Sequence, residues 1–141
     1  MKLRGADRLL FFDKEAIMKI IEAIHKLDAL KFNTYSQNDK ILWLSKLDLA
    51  VKRLIMDYCE DNSAEEFKGY TEDTPLDTEL LVPAPFDEIY LRWMEAQIDY
   101  HNGENDRYNN SISLYNAMFE AYSNYYIKHH QPKSGGSRFL F

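Results

Sequence analysis

Residues 80–132, LLVPAPFDEIYLRWMEAQIDYHNGENDRYNNSISLYNAMFEAYSNYYIKHHQP, decide the fold: they read as two amphipathic helices joined at Asn102-Gly103 and loaded with aromatics. Pro85 opens the first helix. Asp87 and Glu88 put negative charge beside the unpaired N–H groups of its first turn, and Gly103 is able to take the left-handed conformation that ends it. The second helix returns antiparallel, and Pro132 stops it. Along it Tyr108, Tyr115 and Tyr122 recur every seven residues, with Ile112, Met118, Phe119, Tyr125 and Tyr126 filling adjacent positions, so one broad face is apolar or aromatic. Such a face describes packing and assembly, not a reaction centre. Tyrosine combines apolar area with a polar tip, which suits a helix edge that is covered only when a neighbouring subunit arrives.

Upstream, Asp13 reads as the N-cap of a helix over residues 14–26 that places Ile17, Ile20, Ile21, Ile24 and Leu27 on one face. Phe32-Asn33-Thr34-Tyr35 then breaks the periodicity. Ser36 with Asp39 three residues on resembles a capping box and starts a helix that runs through Ile41, Leu44, Leu47, Val51, Leu54 and Tyr58. Residues 59–86 change character: acidic, turn-rich and without a helical stripe, they read as an excursion, an extended arm or short hairpin, with Phe67, Tyr70, Leu76, Leu80, Leu81 and Val82 docking back. Residues 133–141 read as a flexible spacer with an apolar tip, in which Arg138, Phe139, Leu140 and Phe141 follow a Gly-Gly pair and are suited to docking in a groove on a partner. The expected fold is therefore all-α: one domain over residues 1–132, an antiparallel bundle of three long helices preceded by a shorter one, with an excursion over 59–86 and a tail over 133–141.

Composition bounds what such a chain can do. At 141 residues it is long enough for one domain with a real core. A net charge of -6 argues against a surface given over to nucleic acid, because phosphate contacts need clustered Lys and Arg. The single Cys59 has no disulfide partner and reads as a buried small apolar residue. No window approaches the roughly 20 apolar residues needed to span a bilayer, and the apolar run after MKLRGADR is too short for a signal-peptide core.

Chemistry-bearing residues are present without the spacing that chemistry needs. His129 and His130 are adjacent and so point apart on a helix, and no paired Cys/His spacing joins them to His101 or Glu104. Glu88, Glu95 and Asp99 share a helix face that reads as solvated or ion-paired. Ser36, Ser45, Ser111, Ser113 and Cys59 lack a nucleophile context, and the five glycines form no phosphate loop. The tyrosines could stack bases, but single-strand binders interleave aromatics with Lys and Arg, and here only Arg107 and Lys128 flank a neutral stretch. The residue pattern points to no enzyme, no cofactor and no metal.

The order ELLVPAPFDEIY, WMEAQIDYHNGENDRYNNS and a Tyr/Phe-rich helix ending YYIKHHQP, with Asn33-Thr34-Tyr35-Ser36 and ILWLSKLD before it, resembles small head-to-tail connector (adaptor) proteins of tailed phages and prophages of Gram-positive hosts. The resemblance covers roughly residues 33–132. It implies a virion structural protein of the neck, assembled in the host cytoplasm as a ring between the portal protein and the next connector, stopper or tail protein. Packaged DNA would pass through the channel without specific binding, and no membrane is involved. The candidate partner interface comprises Leu81, Phe86, Tyr108, Tyr115, Tyr122, Tyr126, Arg138, Phe139, Leu140 and Phe141. A stopper or tail-completion subunit is the nearest alternative. A small regulatory or nucleic-acid-associated phage protein is another, requiring Lys2, Arg4, Arg8, Lys14, Lys26 and Lys31 in one basic stripe; a metal-dependent enzyme ranks last.

Overall fold

A computed structural model describes residues 17–59 and 66–130. The described chain is mostly helical but not all-α. Its order is strand β1 (Ile17–Lys19), helix α1 (Ile20–Leu30), helix α2 (Gln37–Leu54), a 3-10 turn (Met56–Tyr58), strand β2 (Glu79–Pro83), helix α3 (Glu88–Asn102) and helix α4 (Asn105–His129).

The expected helix over 14–26 is corrected at its start. Asp13 lies outside the described residues, and Ile17–Lys19 is extended, pairing antiparallel with β2 in the register Ile17 to Pro83 and Lys19 to Glu79. The helix begins at Ile20 because that end satisfies its orphan donors. The N–H groups of Ile20 and Ile21 donate to the carbonyls of Thr78 and Leu76, each at 3.0 Å, and the Glu22 carboxylate accepts from the Lys19 N–H at 2.9 Å. Acyclic apolar residues at 17 and 18 fit either state by pattern, so a distant strand decides.

The second start is as expected: Ser36 Oγ accepts from the Asp39 N–H at 3.0 Å, and α2 follows. Ser36→Ala should lower the unfolding free energy by about 1 kcal/mol in a denaturant titration, with the slope of the titration unchanged. The helix stops at Leu54 rather than running on to Tyr58, which sits in the 3-10 turn. At the far end, Gly103 (φ 75°) closes α3: its N–H donates to the Tyr100 carbonyl at 3.1 Å, and the Glu104 N–H reaches the Asp99 carbonyl at 2.9 Å.

The apolar residues of the segment over 59–86 dock back on the helices as expected, and its end is a strand. Tyr70, Leu80 and Val82 are buried, and β2 packs beside β1 and against α2 at the core, which also takes Ile20, Leu27, Ile41, Leu44, Leu47, Val51, Ile55, Ile89, Tyr90, Met94 and Ile98. Cys59 is buried, as the sequence suggests. Helix α4 adds only Tyr122 and Tyr126 to this core and packs chiefly along α3.

Candidate interaction surface

The α3–α4 hairpin shows what the seven-residue tyrosine spacing is for. Phe86, Trp93 and Tyr100 also recur at sevens, and they meet the α4 series in reverse order. Phe86 faces Tyr122 with ring centroids 5.3 Å apart, Trp93 faces Tyr115 at 4.9 Å, and Tyr100 faces Tyr108 at 5.7 Å. Tilted rings at these separations are favourable beyond their area alone. Burial pushes the Tyr115 hydroxyl up to about 12 and raises that of Tyr122 as well.

This pairing corrects part of the expected partner interface. Tyr122 and Tyr126 are 2% and 6% exposed, covered by the chain's own residues, and in this conformation they offer no surface to a neighbour. Phe86, Tyr108 and Tyr115 are half-buried within the aromatic pairs, and Leu81 is half-buried on β2. Arg138, Phe139, Leu140 and Phe141 lie outside the described residues.

The carboxylates divide. Glu88 and Glu95 both pair with Arg92, at 2.7 and 3.0 Å, Glu88 exposed and Glu95 half-buried. Asp99 does not belong with them: it is buried, paired with Lys31 at 3.0 Å and accepting from Ser111 Oγ at 3.1 Å. The buried Asp48, which sequence reading passed over inside an apolar stripe, is the hub of the core. It accepts from the hydroxyls of Tyr70 and Tyr90 (the latter at 2.6 Å) and from the Leu81 N–H at 3.1 Å, while Tyr90 Oη accepts from the Val82 N–H at 2.7 Å. Burial raises its pKa to about 6 against the lowering effect of these three donors. Since the chain's own groups take both oxygens, Asp48 ties β2 to α2 and α3.

His129 and His130 each place Nδ1 at 2.9 Å from the carbonyl four residues back, so each ring donates to the last turn of α4. Among the described residues, no group of three or more His, Cys, Asp or Glu side chains is placed to hold a metal ion. No described helix is long and apolar enough to cross a membrane.

Exposed large apolar side chains are spread over the described surface, Leu54, Leu42, Leu114 and Tyr125 among them, with three others toward the turn end of the hairpin. Phe32 is 89% exposed, Tyr100 63% and Leu30 56%. The loop bearing Phe32 is fixed on both sides: Lys31 grips Asp99, and the Tyr35 hydroxyl donates to Asn102 Oδ1 at 2.5 Å. Asn33 stiffens it further, accepting from the Tyr35 N–H at 3.1 Å and donating to the Lys31 carbonyl at 3.0 Å. Beside it Tyr35, Asp39, Trp43 and His101 wall a hollow of about 140 Å³. Its rings are in contact, Tyr35 edge-on to Trp43 at 5.5 Å and Trp43 parallel to His101 at 5.9 Å. Sequence reading missed this surface. Phe32 sits where periodicity breaks, which marks it as lying outside a stripe, but nothing local pairs residue 35 or 43 with residue 101.

Compared with known proteins, the chain matches no family model, no curated protein and no solved structure.

Proposed function

We propose that the chain is a non-enzymatic virion structural protein, a subunit of the head-to-tail connector ring between a phage portal and its tail. The resemblance of residues 33–132 to connector proteins supports the family. The observation that carries the binding role is Phe32, held almost wholly in solvent by a loop pinned to α3 on both sides. A large apolar side chain loses little by exposure on a mobile loop. One that is displayed on a fixed loop, two residues from the exposed Leu30, offers apolar area that a partner can bury. In this role the molecule works by geometry, repeated copies burying apolar ends in a ring-closing contact. The basic-stripe alternative is weakened by Lys31, whose ammonium is turned onto Asp99.

Light scattering and negative-stain microscopy test the reading, on the protein alone and mixed with the portal protein of the same phage. Rings, free or seated on the portal, are the expected result. A protein that leaves the portal unaltered and forms no ring at any concentration overturns it.

A further inference from the structure

We infer that the hollow between Tyr35, Asp39, Trp43 and His101 receives Arg138 from a second copy of this chain, with Phe139, Leu140 and Phe141 of that copy covering Phe32 and its apolar neighbours. Three observations carry this. The hollow is chemically matched to a cation with a flat face: two aromatic rings and an imidazole form its walls, and the Asp39 carboxylate, exposed on the first turn of α2, supplies one negative charge. A guanidinium stacks on such rings and pairs with such a carboxylate more readily than an ammonium does. Residues 131–141 supply the complement in the right order, since they contain Lys133 and Arg138, no Asp or Glu, and the run Phe139-Leu140-Phe141 directly after the arginine.

Reach then selects the copy. The hollow lies at the start of α4, because His101 precedes the Gly103 turn, whereas the tail departs from the other end, at His130. Helix α4 has 25 residues, which at a rise of 1.5 Å each is about 37 Å. The eight residues from His130 to Arg138 span at most about 28 Å fully drawn out. The chain's own arginine would need a taut path along the entire hairpin and most of its side-chain length to arrive, leaving nothing to settle the apolar residues on Phe32. A neighbouring copy meets no such limit. The contact is heterologous, tail of one subunit to turn end of the next, the type that closes into rings or extends as filaments.

The inference relies on the connector reading only for the presence of several copies, and its test needs no portal. Solution mass is measured by light scattering between about 10 μM and 1 mM, the range in which a contact of this size associates, with circular dichroism to confirm folding. The wild-type mass should rise with concentration. Phe32→Ser and Arg138→Glu should each hold the protein at monomer mass, and because Phe32 is exposed its replacement leaves the fold intact. An equimolar mixture of the two variants should recover a dimer and nothing larger, since it retains one intact patch and one intact tail. Asp39→Arg combined with Arg138→Asp should restore growth that either change alone abolishes. Monomer mass at every wild-type concentration, or association that neither F32S nor R138E alters, overturns the inference. Association through these residues that closes no ring and leaves the portal unaltered would instead remove the connector reading and leave this one standing.

Discussion

Asp48→Ala should lower the free energy of unfolding by about 4 kcal/mol, because it leaves the Tyr70 and Tyr90 hydroxyls and the Leu81 N–H facing an apolar gap, each lost partner costing roughly 1–3 kcal/mol. The isosteric Asp48→Asn separates the charge from the hydrogen bonds. Its amide oxygen still accepts from two donors, and the charge that burial opposes is gone. In the native protein Asp48 titrates near 6, above its ordinary 3.8, so the folded chain holds this proton more tightly than the unfolded chain. Its stabilising contribution is fully present below about 3.8 and is lost as pH rises through about 6, a loss of about 3 kcal/mol. Urea titrations at a series of pH values should therefore show the stability of D48N, relative to wild type, improving by about that amount between about pH 4 and 7. Asp28, where burial pushes the carboxyl up but hydrogen bonds from Lys40 and Asn33 and the nearby Lys40 and His25 charges together bring it below its ordinary value, is common to both proteins and cancels. A difference that stays flat with pH would show that Asp48 is ionised in the fold without penalty.

Gly69→Ala should cost about 3 kcal/mol. Gly69 has φ 87°, where a side chain is strained by about 1–2 kcal/mol, and an added Cβ would stand 2.3 Å from Ser45 Oγ and 3.2 Å from Leu49 Cδ1. Ser45 cannot turn away freely, since its Oγ accepts from the buried Tyr70 N–H at 2.9 Å. Any shift that makes room for the methyl group pulls Tyr70 from its backbone anchor and loosens the hydroxyl that Asp48 holds. A double-mutant cycle with Ser45→Ala checks the cause: the pair should lose about 1 kcal/mol less than the two single changes added together. Strict additivity would place the damage in backbone strain alone.

Much of the helical frame was legible because its signals are local. Ser36 with Asp39 and the Gly103 turn each lie within a few residues of what they cap, and the tyrosine series announces its own period. Its purpose was not legible. Seven-residue spacing on α4 points to packing and assembly without naming the partner, and Phe86, Trp93 and Tyr100, with the same spacing in reverse, fill much of that face from within the chain. Ile17 was not legible as a strand for another reason. A three-residue strand has no period to detect, and its partner lies some sixty residues away. Asp48 looked like a polar interruption in the α2 stripe, since no local pattern joins it to Tyr70, Leu81 and Tyr90. The exposed end at Phe32 was invisible for the same reason: the contacts that fix its loop, Lys31 to Asp99 and Tyr35 to Asn102, span distances that periodicity does not register.

The bonds from Ile20 and Ile21 to the carbonyls of Thr78 and Leu76 also set a clock on synthesis. The opening turn of α1 leaves the ribosome at least 55 residues before the carbonyls that complete it. At about 5–20 residues per second the nascent chain waits roughly 3–11 s with Ile20, Ile24 and Leu27 uncovered, an interval in which chaperone capture competes with native closure.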